Sequence, residues 1–117
     1  MVALRIMSWR DVLACLKIGE GSQIEFLPSI IVADDLLKYC IAFLNEAGGR
    51  IIVGIDDKNS HLLGSNVSHH FVETILQKII PPAPINIEEI QRGDRTVLLL
   101  RCLLERKNPI QPVEKRL

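Results

Sequence analysis

Ile51, Ile52, Val53 and Ile55 form an apolar, β-branched run with no polar alternation. That is the pattern of a strand covered on both faces. An interior strand needs a neighbour on each side, and the segments Gln23–Leu27 and Thr96–Leu104 are the expected ones. The stretch that leads into it, 42–49, reads AFLNEAGG: a helical apolar pattern ends at Ala47, and Gly48-Gly49 follow. A helix C-terminus that must reverse into a strand favours residues without a Cβ, since positive φ then costs little. Asp56 and Asp57 lie where this strand would leave the sheet, Lys58-Asn59-Ser60 reads as a tight turn, and His61–Leu63 reads as a short return strand closed by Gly64.

The remaining elements are placed around that junction. Ser8 and Asp11 have capping-box spacing, and Trp9, Val12, Leu13 and Leu16 follow at helical intervals, predicting a helix from about Trp9 to Lys17. Gly19-Glu20-Gly21-Ser22 breaks it. Gln23–Leu27 then alternates polar and apolar residues, with Glu25 facing away from Ile24 and Phe26. Asp34 and Asp35 start the principal helix, whose stripe is Leu36, Leu37, Cys40, Ile41, Leu44 and Ala47. A third helix is expected from His70 to Ile80, with Phe71, Val72, Ile75, Leu76 and Ile79 inward and Pro81-Pro82 as its stop. Ile85–Ile90 and Thr96–Leu104 should pair as an antiparallel hairpin around Arg92-Gly93-Asp94-Arg95. The order is α-β-α-β-β-α-β-β, an α+β or α/β sandwich with a mixed central sheet. The domain is expected over residues 1–105, followed by a basic, proline-containing tail over 106–117 that is extended or partly disordered.

A chain of 117 residues suffices for one core. With 14 basic and 14 acidic residues it carries no net charge, so nucleic-acid binding would need a local patch instead of a global positive field. Cys15, Cys40 and Cys102 are odd in number and sit in apolar runs, which points to buried thiols in a reducing compartment. No apolar run reaches about 18 residues, and no signal-peptide core is seen; a cytoplasmic or nuclear protein, without membrane association, is expected.

In this framework two blocks carry a resemblance. Gly19-Glu20-Gly21-Ser22-Gln23-Ile24-Glu25-Phe26, and Ala42–Gly49 continuing through Gly54-Ile55-Asp56-Asp57 to Gly64, are similar to the E-S-x-x-x-E-F-K, A-F-A-N-T-x-G-G and I-G-V-D-D…G patterns of the Schlafen-type AlbA-like domains. That family is described as DNA-binding domains of bacterial regulators and as the core lobe of Schlafen proteins. Two departures stand out. Leu27 replaces the family's usual lysine, and the C-terminal block is reduced to Lys107-Asn108-Pro109-Ile110.

The chemistry to be weighed is carried by Glu20, Glu25 and Asp56 or Asp57. Carboxylates are the oxygen ligands that Mg²⁺ or Mn²⁺ prefer, and a metal so held can stabilise charge on a phosphoryl group. The resemblance to Schlafen ribonucleases implies a Glu20, Glu25 and Asp56 site for metal-dependent RNA cleavage. The structural alternative gives each acid an ordinary role, in which Glu20 caps a turn, Glu25 pairs with a surface cation, and Asp56 shapes the hairpin turn. His69 and His70 are adjacent on a helix and diverge by about 100°, which suits a solvated helix start better than one metal. Gly48-Gly49 lacks the phosphate-loop pattern, so no nucleotide cofactor is expected.

Three functions compete. The first is a nucleic-acid-associated module in which Arg50, Lys58, Arg101, Arg106 and Lys107 contact the phosphates of RNA or DNA. The second is the endoribonuclease. The third is a scaffold lobe that pairs with another Schlafen-like chain, as a homodimer or a heteromer, and leaves the chemistry to its partner. Neutral charge, Leu27 and the shortened C-terminal block favour the third over a free-standing enzyme.

Overall fold

The structure, a computed structural model, describes residues 8–28, 33–56, 58–80, 85–103 and 111–112. Helix α1 (Trp9–Ile18) opens on Ser8, whose N–H donates to the Asp11 carboxylate at 2.7 Å. This is the reciprocal half of the expected capping box. Strand β1 (Ile24–Leu27), helix α2 (Ala33–Asn45) and strand β2 (Gly49–Val53) follow. Helix α3 (His69–Leu76) leads to strand β3 (Ile79–Ile80), the long hairpin β4 (Ile85–Arg92) and β5 (Arg95–Cys102), and the short β6 (Gln111–Pro112).

The main sheet has the order β1-β2-β5-β4, with β1 parallel to β2 and the other pairs antiparallel. It is the mixed sheet expected, with β2 in its interior. Ile51, Ile52 and Val53 are all fully buried. Because β2 alternates its side chains, these three are shared between two cores. Ile51 and Val53 join Leu37, Cys40, Leu44 and Leu98 beneath α2 and α3, whereas Ile52 joins Val12, Cys15, Phe26 and Leu99 beneath α1. Each such side chain contributes about 1.5–3 kcal/mol by leaving water.

Gly48 and Gly49 serve different ends. Gly48 has φ 78°, and its N–H closes the helix end by donating to the Phe43 carbonyl at 2.8 Å. Gly49 is needed for space: a Cβ there would lie 2.6 Å from the Phe43 ring, itself buried.

Several boundaries differ from expectation. The return strand His61–Leu63 is a single bridge, Ile55 with Leu62, because the N–H groups of Leu63 and Gly64 both turn onto the Gly54 carbonyl instead of extending a ladder. Helix α3 stops at Leu76, and Ile79–Ile80 pair as β3 with β6; spacing of apolar residues at 75, 76, 79 and 80 serves a helix and a short strand equally. Phe71, expected inward, is 44% exposed, while Val72 and Ile75 carry the buried face. Most of residues 106–117, the expected tail, lies outside the described residues, and the part that is described forms β6.

All three cysteines are buried and unpaired by disulfide. A hydrogen bond with Cys102 and burial together push the Cys40 thiol well above its ordinary range. Being protonated in the fold but free to ionise near pH 8.5 when unfolded, Cys40 should add stability below that pH which is lost as pH rises above it. Urea denaturation at pH 7 and pH 10 should therefore show falling stability, and Cys40→Ala should flatten that slope whatever its cost at pH 7. Gly49→Ala should destabilise by about 1–3 kcal/mol through overpacking. In a Phe43→Ala background the same change should cost far less, which a double-mutant cycle of denaturation midpoints measures.

Candidate phosphate site

The apolar run of β2 begins only after Arg50, and that residue fixes the site. The Arg50 N–H donates sideways to the Gln23 carbonyl, just before β1, at 2.9 Å. Its other neighbour in the sheet is Arg101 on β5, in direct register. Since the backbone groups of Arg50 point to β1, the Arg50–Arg101 pair is the non-hydrogen-bonded type, in which opposing side chains stand closest. Both lie on the α1 face, in line with Ile24 and Asn86. Like charges directly opposite each other destabilise a sheet.

The one described carboxylate that shares their cavity, Glu20, has an oxygen taken up by the Phe26 N–H. The Arg50 Nη1 reaches the Cys15 thiol at 3.9 Å, and neither arginine forms an ion pair with a carboxylate among the described residues. The Arg101 Nε is buried without a hydrogen-bond partner. Leaving such a donor unsatisfied costs about 1–3 kcal/mol. Both arginines line a cavity of about 540 Å³ at the end of the sheet, bounded by the α1–β1 loop at residues 18–24 and by Gly49 and Leu103. Gln23 braces that loop by donating from Nε2 to the Ala47 carbonyl at 3.2 Å. The arrangement is a pair of partly buried cationic side chains lining one open space, and its chemical complement is an oxyanion.

The expected carboxylates are placed otherwise. Glu20 Oε2 accepts the Phe26 N–H at 2.8 Å, and the Gly21 N–H donates to the Ile24 carbonyl at 3.0 Å, so this loop covers the outer edge of β1. Glu25 is half-buried, in register with Ile51 and therefore on the α2 side of the sheet, opposite to the arginines. Asp56 shapes the hairpin: its Oδ1 accepts the Lys58 N–H at 2.8 Å and its carbonyl accepts the Ser60 N–H at 2.8 Å. Among the described residues no group of three or more His, Cys, Asp or Glu side chains could hold a metal ion. The sheet thus does not gather Glu20, Glu25 and Asp56 around one cation.

Of the expected phosphate contacts, Arg50 and Arg101 are brought together. Lys58 is exposed in the turn beyond the far end of β2, and the strand alone, from Arg50 to Val53, spans about 10 Å. Arg106 and Lys107 lie outside the described residues. The loop residues Ser22 and Gln23 and the backbone at Gly49 complete the cavity, and reading the sequence alone misses them. Among the described residues no helix is long and apolar enough to cross a membrane.

Comparison with known proteins places this geometry. A solution structure of the N-terminal domain of a protein from Nitrosomonas europaea, assigned as ATP-dependent DNA helicase RecG-related, is similar with a TM-score of 0.70 at 19% identity, covering 96% of this chain and 84% of that one. The DIP2311 protein from Corynebacterium diphtheriae is similar with a TM-score of 0.63 at 18% identity; 92% of this chain is covered, which spans only 24% of that protein. No curated protein matches. These likenesses establish the fold. The Schlafen, AlbA_2 family matches residues 20–116, from the loop that covers β1 through β6, and the chain belongs to that family.

Proposed function

We propose that the chain is a nucleic-acid-associated Schlafen/AlbA-like module that holds phosphate between Arg50 and Arg101. The observation that carries this reading is the opposed arginine pair, both members of which line one cavity and one of which has a buried Nε without a hydrogen-bond partner. Family membership supports the polymer over other oxyanions, as does a fold shared with the domain of a RecG-related protein. Binding of this kind needs no metal. It reads no sequence, because guanidinium contacts to phosphate fix position and carry no base information.

One part of the expectation fits less closely. A Mg²⁺- or Mn²⁺-dependent endoribonuclease would need Glu20, Glu25 and Asp56 to converge, and in this chain they serve an edge, the opposite face and a turn. Pairing with a second Schlafen-like lobe is supported by Leu13 and Ile18, exposed on α1, and belongs to the proposal as a feature of assembly.

The test is fluorescence anisotropy with labelled single-stranded RNA and DNA, with and without Mn²⁺, at two salt concentrations. Arg50→Gln and Arg101→Gln should each weaken binding about tenfold, in line with the roughly 1.5–3 kcal/mol of a hydrogen bond to a charged group. Lys58→Gln should change it little. Undiminished binding by both arginine variants would overturn the assignment. Cleavage that requires Mn²⁺ and is lost in Glu25→Gln would restore the carboxylate reading.

A further inference from the structure

Resting on the reading just given, we infer that the Arg50–Arg101 cavity takes a terminal phosphate monoester of a nucleic-acid strand, and does not track the phosphodiester backbone.

Charge is the first reason. A phosphate monoester carries −1.5 to −2 at neutral pH, whereas an internal phosphodiester carries one negative charge. Two arginines in direct register on β2 and β5 are balanced by the former and left half-compensated by the latter. A dianion with three free oxygens can accept from both side chains at once. A diester has only two unbridged oxygens.

Shape is the second reason. The cavity, about 540 Å³, falls in the roughly 300–1,000 Å³ range of small-ligand sites. The loop at residues 18–24 bounds it on one side, braced through Gln23 and Ala47, and the ends of β2 and β5 bound it on another. An internal phosphate would have to admit a nucleotide on each side. A strand end needs only one exit.

The third reason is that the expected cations among the described residues do not form a track. A surface that follows a backbone repeats its cations along the path, and the net charge of this chain is zero. Lys58, the other described cation expected to take part, sits beyond the opposite end of β2. Glu20 also lines the cavity, with one carboxylate oxygen committed to the Phe26 N–H. A carboxylate in the lining disfavours a polyanion sliding past and leaves room for a single anchored end.

The experiment compares four probes on the intact chain: one labelled ten-nucleotide single strand carrying a 5′-phosphate, a 3′-phosphate or hydroxyls at both ends, and a free mononucleotide as competitor. One of the two phosphorylated strands should bind at least tenfold more tightly than the hydroxyl strand. Its affinity should fall with a log–log salt slope of magnitude about 1, against the several expected of backbone tracking at roughly 0.7 per phosphate. Arg101→Gln should erase the tenfold preference. Because the variant removes like-charge repulsion, it should melt no lower than the wild type without ligand. Inorganic pyrophosphate should raise the melting temperature of the wild type and leave that of Arg101→Gln unmoved. Equal binding of all three strands would overturn this inference while leaving nucleic-acid association standing. A mononucleotide that binds where no strand does would overturn the association and keep a phosphate site. Pyrophosphate that stabilises both proteins equally would overturn the site itself.

Discussion

The physical constraint on which the rest depends is the two-sided burial of β2. A strand with Ile51, Ile52 and Val53 all out of water cannot sit at an edge or on a single layer. It needs β1 and β5 as ladder partners, α1 over one face, and α2 with α3 over the other. The glycine pair before it solves the connection. One glycine turns the helix end and the next lets the Phe43 ring close against the strand, so the same aromatic seals the core at the point where the chain enters it.

The site is a consequence of where that burial stops. Arg50 is one residue before the apolar run and Arg101 is one residue before the end of β5, so both are near the rim of the sheet, where side chains can reach solvent. Their alignment follows from a register set elsewhere, by Ile52 against Leu99 and Val53 against Leu98 in the core. A one-residue slip would put every one of these apolar side chains on the wrong face. Core packing therefore holds the two cations opposite each other although their own interaction is repulsive. Preorganisation of this kind is what allows a bound anion to gain from both charges without first having to gather them.

The sequence makes the elements legible where a single pattern has a single reading. The unbroken run at 51–53, the capping box at Ser8 and Asp11, and the hairpin around Gly93 all appear as read. It misleads where two structures share a pattern. Ile75, Leu76, Ile79 and Ile80 fit a helix continuing toward the prolines, yet β6, remote in sequence, supplies a partner that local periodicity does not contain. The arginines could be named from the sequence, but their pairing could not, because register is a property of two strands about 50 residues apart. The acids show the converse. Motif resemblance groups Glu20, Glu25 and Asp56, while strand alternation sends Glu25 to the face away from the arginines.

Glu20 indicates how a family pattern can persist under a different physical role. Strand β1 is an edge, and its outward groups at Ile24 and Phe26 would otherwise be open to pairing with another chain. The loop that carries Glu20 closes that edge twice, once through the Gly21 N–H and once through the carboxylate on the Phe26 N–H. The same loop forms a wall of the arginine cavity. Edge protection and the shape of the arginine cavity are thus coupled through one short segment. The carboxylate here has a structural use as a hydrogen-bond acceptor, and a motif read only as chemistry would overlook the backbone donor that it satisfies.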